Sequence, residues 1–106
     1  MVQQKTSTKL LQVGNLVLDL EKTTLNKGKT TFSLTPKETK LMAVLMENVG
    51  QIVSRDQLIA EVWHSKVGKS RSLDVHIRWL RQKVEDNPNI PEYILTRRGR
   101  GYELRL

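Results

Sequence analysis

Cysteine is absent from this 106-residue chain. That excludes a disulfide scaffold and thiolate metal sites, and it agrees with a reducing compartment. The two histidines stand in no HExxH pattern, so no metal site is expected. No apolar run approaches the roughly 20 residues of a membrane span. The opening MVQQKTSTKL lacks the apolar core of a signal peptide. Aromatic residues make up only 5% of the chain, and apart from Trp79 they offer no exposed platform for single-stranded RNA. No Ser or Thr stands beside a paired His and Asp, no phosphate-cradling GxxxxGK loop occurs, and no close carboxylate pair sits in apolar surroundings. The chain is therefore read as neither an enzyme nor a cofactor carrier. It also has no internal repeat and no low-complexity tract.

Acidic residues are in short supply. Lys and Arg number 18 against 11 Asp and Glu, for a net charge of +7 and a pI near 10.0. Such a balance favours polyanionic partners. The excess is local. Between His64 and Lys83 stand Lys66, Lys69, Arg71, Arg78, Arg81 and Lys83, opposed only by Asp74. Between Thr96 and Tyr102 stand Arg97, Arg98 and Arg100 without an acid. With 38% hydrophobic and 27% charged residues, the composition is that of one small globular domain. Residues 1–9 are polar and read as a linker remnant, leaving residues 10–106 as the domain and marking the chain as one piece of a longer protein.

Residues 10 to 34 carry short β-like runs. Leu10–Val13 precedes a Gly14-Asn15 turn pair, Leu16, Leu18 and Leu20 alternate with Val17 and Asp19, and Lys27-Gly28 separates Thr23–Asn26 from Thr30–Leu34. The expectation is an antiparallel sheet of three or four strands. Three helices follow. Thr35-Pro36-Lys37-Glu38 is a capping box with Pro at the first helical position. Leu41, Val44 and Leu45 form that helix's apolar stripe, with Met42 and Met46 at its edge, and Asn48 to Gly50 ends it. Ser54-Arg55-Asp56-Gln57 repeats the capping pattern ahead of Leu58, Ile59, Val62 and Trp63. His64–Lys69 reads as a loop, with Gly68 as a breaker.

The third helix spans about 71–85, and Asn87-Pro88 stops it. Leu73, Ile77, Leu80 and Val84 form one narrow apolar stripe. At about 100° per residue, Arg71, Val75, Arg78 and Gln82 gather on the opposite side, flanked by Asp74 and Trp79. A buried anchor stripe with long polar side chains opposite suits insertion into a DNA major groove. Tyr93–Thr96 and Tyr102–Arg105 then pair across Arg97–Gly101 as a hairpin. Its two glycines permit positive φ and close backbone approach. Three arginines on so tight a tip face solvent or a polyanion, and Arg98 is the one expected to enter a narrow minor groove.

Most of these side chains also have a plainer reading. Arg71 and Arg78 on an arbitrary helix would be solvated, but their alignment opposite the core stripe favours DNA. Asp74 has three readings: an acceptor from a cytosine amino group, an orienter of a nearby arginine, or an acid serving the helix dipole. Trp79 packs at the core edge, meets a thymine methyl or sugar, or covers a protein partner. Trp63 reads as core with an indole N–H to spare for phosphate. His76 lies near the apolar stripe, and His64 on the loop surface.

The segments LTPKETKLMAVLMENVGQIVSRDQLIAEVW, RSLDVHIRWLRQKVE and ILTRRGRGYEL together resemble the C-terminal effector domain of OmpR/PhoB-type response regulators. The likeness covers about residues 10 to 106. It implies an α+β winged helix-turn-helix with an N-terminal antiparallel sheet, three helices and a C-terminal hairpin wing. By position in that resemblance, Arg71, His76, Arg78 and Arg81 match phosphate contacts, and Ser72, Asp74, Val75 and Trp79 match positions that face bases. Thr96 and Arg98 match wing contacts, and Trp63 matches a helix-end tryptophan that meets a phosphate. Trp79 departs from the smaller or basic residue common there, and Arg97 and Arg100 make the wing unusually basic.

The resemblance further implies that the loop His64, Ser65, Lys66, Val67, Gly68 and Lys69 touches RNA polymerase. A phosphoacceptor receiver domain, addressed by a cognate sensor kinase, would precede the chain and is not in it. The resulting expectation is a cytoplasmic, sequence-specific binder of double-stranded DNA, monomeric alone and paired on tandem half-sites about one helical turn apart. An RNA-binding basic protein and a protein-interaction module are the rival readings.

Overall fold

The structure is a computed structural model that describes residues 9–65 and 69–106. Nearly all of the expected linker remnant, and Lys66, Val67 and Gly68 of the expected polymerase loop, lie outside the described residues.

Four strands open the fold as a meander: β1 (Leu10–Val13), β2 (Leu16–Asp19), β3 (Thr24–Lys27) and β4 (Thr30–Ser33), each antiparallel to the next. Val13 pairs with Leu16 and Lys27 with Thr30, so each outer hairpin closes in two residues. Gly14 and Gly28 supply the left-handed conformation there, with φ of 58° and 60°. The middle turn uses Asp19, whose carboxylate accepts from the backbone N–H groups of Glu21 and Lys22, both at 2.9 Å. Leu16, Leu18 and Leu25 point inward and are fully buried. Leu20 falls past the strand end and is only half-buried.

Helix α1 (Pro36–Glu47) starts at the anticipated capping box. Glu38 N–H donates to Thr35 Oγ1 at 3.1 Å, and Thr35 N–H donates to Glu38 Oε1 at 2.8 Å. Met42 and Met46, expected at the edge of the stripe, are instead in the core at 0% and 2% exposure. The reason is that α1 is central. It packs against the first sheet, both other helices and the C-terminal strand, so its apolar arc is wider than one stripe.

A two-residue strand β5 (Ile52–Val53) precedes α2 (Arg55–Trp63), and no periodicity signals a strand so short. It pairs with the last strand and creates a second sheet. At α2 only half of the capping box forms. Ser54 Oγ accepts from Gln57 N–H at 3.1 Å, while the Gln57 side chain turns to Glu61 at 2.8 Å. His64 ends the helix in the left-handed conformation, φ 54°.

Helix α3 (Ser70–Val84) buries Leu73, Ile77, Leu80 and Val84 completely or to within 1%, the stripe read from spacing. It stops before Asn87-Pro88, because Glu85 is already extended. The Glu85 carboxylate, 6% exposed, accepts from the N–H groups of Glu92, Tyr93 and Ile94 at 2.7 to 3.1 Å. A side chain thus turns the chain into the final hairpin. That hairpin is β6 (Ile94–Arg97) and β7 (Gly101–Leu104), ordered β5-β7-β6 in the sheet. Arg97 pairs with Gly101, leaving Arg98, Gly99 and Arg100 as the tip. Both strands are displaced by one residue from the anticipated bounds, since Tyr93 N–H goes to Glu85 rather than to a strand.

Candidate nucleic-acid interface

The outward side of α3 carries Arg71 and Arg78, both exposed, with half-buried Val75 between them and exposed Gln82 beyond. Among the described residues, no hydrogen bond or ion pair occupies the side chains of Arg71, Arg78, Arg98 or Arg100. Two cations on the helix and two on the hairpin tip are therefore available to an anion. Lys83 is not. Its ammonium turns to the other side, pairing with Glu38 at 2.9 Å and donating to the Ser33 carbonyl at 3.0 Å. The basic cluster read from the sequence is correspondingly smaller in space, because Lys83 neutralises a buried carboxylate.

One flank of α3 is aromatic. The His76 ring meets Trp63 edge-on, centroids 5.1 Å apart, and lies 4.9 Å from Trp79. His76 Nδ1 is 2.8 Å from the Ser72 carbonyl, so Nδ1 carries the hydrogen and Nε2 remains for an outside partner. Trp79 is 41% exposed and lines a shallow depression with Arg71, Ser72, Val75 and His76. Trp63 is half-buried, as a side chain at a helix end with one packed face should be.

The other flank belongs to the hairpin. Asp74 accepts from Arg55 Nη1 at 2.8 Å and Nη2 at 3.2 Å, and its Oδ1 also accepts from the Tyr102 hydroxyl at 2.7 Å. Of the three readings of Asp74, the arginine partner is present, and it comes from α2. The Arg55 guanidinium holds the Asp74 carboxyl below its ordinary value, and the Tyr102 hydrogen bond adds to this against partial burial. Burial pushes the Tyr102 phenol up, with the Asp74 charge in the same direction. The Arg55 guanidinium is raised in turn, chiefly by its bond to Asp74.

Arg81 donates through Nε to the Ile94 carbonyl at 2.9 Å and through Nη2 to Thr96 Oγ1 at 2.8 Å. Arg97, expected to project from the tip, lies on β6 and pairs through Nε with Glu103 at 2.8 Å. That corrects the picture of three outward arginines. The cross-strand Glu103 gives Arg97 a partner, and only Arg98 and Arg100 are on the turn. Sequence reasoning passed over Arg55, Tyr102, Glu103 and Glu85 as site-building residues. The one available signal was Asp74 itself, a carboxylate among arginines that needs a partner.

His64 is exposed, and Ser65 and Lys69 are half-buried at the two described ends of the expected polymerase loop. No group of His, Asp and Glu among the described residues could hold a metal ion. No described helix is long and apolar enough to cross a membrane.

Comparison with known proteins agrees with this geometry. Residues 28–104 match the family model described as transcriptional regulatory protein, C terminal. The alkaline phosphatase synthesis transcriptional regulatory protein SphR of Synechococcus elongatus is 48% identical over 73 residues, 68% of this chain and 28% of its own length. The chain spans well under half the length of the curated relatives it matches first. Among solved structures, the RstA DNA-binding domain of Klebsiella pneumoniae in complex with the RstA box superposes with a TM-score of 0.81 at 30% identity, covering 92% of this chain and 97% of that one. The DNA-binding domain of CpxR from E. coli superposes with a TM-score of 0.77 at 33% identity, covering 91% and 95%.

Proposed function

We propose, since this chain belongs to the family of C-terminal domains of transcriptional regulatory proteins, of the OmpR/PhoB response-regulator type, that it binds double-stranded DNA sequence-specifically as the output domain of a two-component regulator. The observation that carries this is the set of arginines whose side chains have no partner among the described residues, Arg71 and Arg78 on α3 and Arg98 and Arg100 on the hairpin beside it. Arg71 and Arg78 sit opposite the fully buried anchor stripe of α3. Side chains of this length on an exposed helix face fit a major groove, while a narrow hairpin tip fits a minor groove.

In this reading residues 10–106 form the winged helix-turn-helix domain. Ser72, Val75, Arg78 and Trp79 meet base edges, with Val75 and Trp79 supplying apolar surface suited to a thymine methyl. Arg71, His76 with both ring nitrogens protonated so that Nε2–H can donate, and the Trp63 indole hold backbone phosphates. Arg98 enters the minor groove, and Thr96 and Arg100 support it at the backbone. Asp74, Arg81 and Arg97 are engaged by the protein itself, which limits what they offer to DNA. The chain catalyses no reaction and acts in the cytoplasm. His64, Ser65 and Lys69 flank the surface offered to RNA polymerase. A receiver domain elsewhere in the protein answers to the sensor kinase, and two copies occupy tandem half-sites.

Selection of bound sites from a random duplex pool tests this. A recurring motif is expected, with affinity falling steeply as salt rises because each neutralised phosphate releases counterions. Arg78→Ala should lose about 1–3 kcal/mol and relax the motif at one position. Binding that yields no motif and follows charge alone would remove the specific-regulator reading.

A further inference from the structure

We infer that the wing is locked to the recognition helix by a joint built around Tyr102, in which Asp74 and Arg81 act as positioning residues that set how strongly Arg98 engages DNA. The inference rests on the duplex-DNA reading above.

Each wing strand is tied separately to the same flank of α3. Asp74 receives the Tyr102 hydroxyl of β7 at 2.7 Å. Arg81, two turns further along, donates to Ile94 and Thr96 of β6 at 2.9 and 2.8 Å. The Arg81 guanidinium lies 5.7 Å from the centre of the Tyr102 ring, and that of Arg55 lies 6.0 Å from it. Arg55 also reaches the Ser70 carbonyl at 3.1 Å, so the start of α2, the start of α3 and the wing meet at one point. The base of the hairpin is held by further ties: the two-residue strand β5, the Gly50 N–H bonded to the Leu104 carbonyl at 2.8 Å, the Glu85 carboxylate at Ile94, and the burial of Ile94 and Leu104 in the core. A hairpin of two four-residue strands is marginal by itself. Core packing fixes its base, and the bonds from Asp74 and Arg81 set the angle of its strands against α3.

The consequence is one of effective concentration. When α3 occupies a groove, the wing tip meets the neighbouring groove in proportion to how well its position is already set. A locked wing makes Arg98 count fully. A loosened wing contributes little, whatever the chemistry of Arg98. The contribution of Arg78, carried on the helix itself, does not depend on the joint. A residue that only stabilises the fold would not separate the two.

The test measures affinity of the chain for a duplex recovered by selection, with Arg98→Ala and Arg78→Ala each made in the wild-type and Tyr102→Phe backgrounds. Tyr102→Phe keeps the ring and removes one hydrogen bond, and is expected to weaken binding about fivefold. In that background Arg98→Ala should cost little more, while Arg78→Ala should cost as much as in wild type. Equal losses from Arg98→Ala in both backgrounds would overturn the joint, as would a parallel shrinkage of both losses. Should Tyr102→Phe lower the thermal midpoint enough to compromise folding, Asp74→Ala gives the same cycle from the other end of the bond. Failure of every protein to bind duplex would overturn the DNA reading together with the inference, whereas binding without this pattern overturns the inference alone.

Discussion

The Glu85 carboxylate accepts the backbone N–H of Ile94 at 2.7 Å, and by doing so it defines where α3 ends and the wing begins. The same carboxylate accepts from Glu92 and Tyr93, so one buried side chain satisfies three donors that have no strand partner. Glu85→Ala strands those donors and should destabilise the fold by about 2–4 kcal/mol. Urea unfolding measures this, and a change within about 0.5 kcal/mol would deny Glu85 the role.

Gly101 sits at φ 144°, and a Cβ there would collide with the Val53 carbonyl oxygen of the neighbouring strand. Gly101→Ala combines a backbone conformation reserved for glycine with an overlap against main chain, at a cost of about 3 kcal/mol. Gly99, at φ 74° with open space around it, should lose only about 1 kcal/mol on the same substitution. Comparing the two unfolding midpoints checks the difference, and equal losses would contradict it.

Lys83 and Arg78 should separate stability from binding. Lys83→Ala leaves the buried Glu38 carboxylate without its cation and should destabilise by about 1–3 kcal/mol, with DNA affinity unaltered in the folded protein. Arg78→Ala should do the reverse. Paired unfolding and titration of the two variants decides the matter, and a DNA defect in Lys83→Ala would move that residue into the interface.

The Asp74 carboxyl is held below its ordinary value by Arg55. A depressed folded-state value contributes stability above the unfolded-state value of about 3.9, lost as pH falls through the lower folded value. The stability gap between wild type and Asp74→Asn should therefore be constant near neutrality and narrow below about pH 4. Tyr102 runs the other way. Its raised value contributes stability below about pH 10 that is lost as pH rises through the folded value, and Tyr102→Phe should remove that alkaline loss. Unfolding midpoints across the two pH ranges test both signs.

Trp79 and Val75 line one depression on α3. Replacing thymines of the selected site by deoxyuridine one at a time should reveal a position where loss of the methyl costs about fourfold in affinity. Trp79→Ala should abolish that sensitivity while leaving the others. A wild-type protein indifferent to every replacement would assign Trp79 elsewhere.

The sequence by itself determined the elements whose signals are local. The stripe of Leu73, Ile77, Leu80 and Val84, the Thr35 capping box, the glycine turns and the outward Arg71 and Arg78 follow from helical period, steric freedom at glycine and hydrogen bonds within a few residues. The winged-helix architecture was legible through the resemblance of these segments to OmpR/PhoB-type effector domains. What only the tertiary structure decided is which charges remain for a partner. Asp74 meets Arg55 across 19 positions and Tyr102 across 28, and Lys83 meets Glu38 across 45. Strand β5 exists only because β7 returns beside it. Electrostatic and strand pairing depend on distance in space, and no periodicity along the chain encodes a partner so remote. The helix face could therefore be read from spacing, whereas the commitment of Arg81, Lys83 and Arg97 to the protein itself, and the joint at Tyr102, came into view only with the fold.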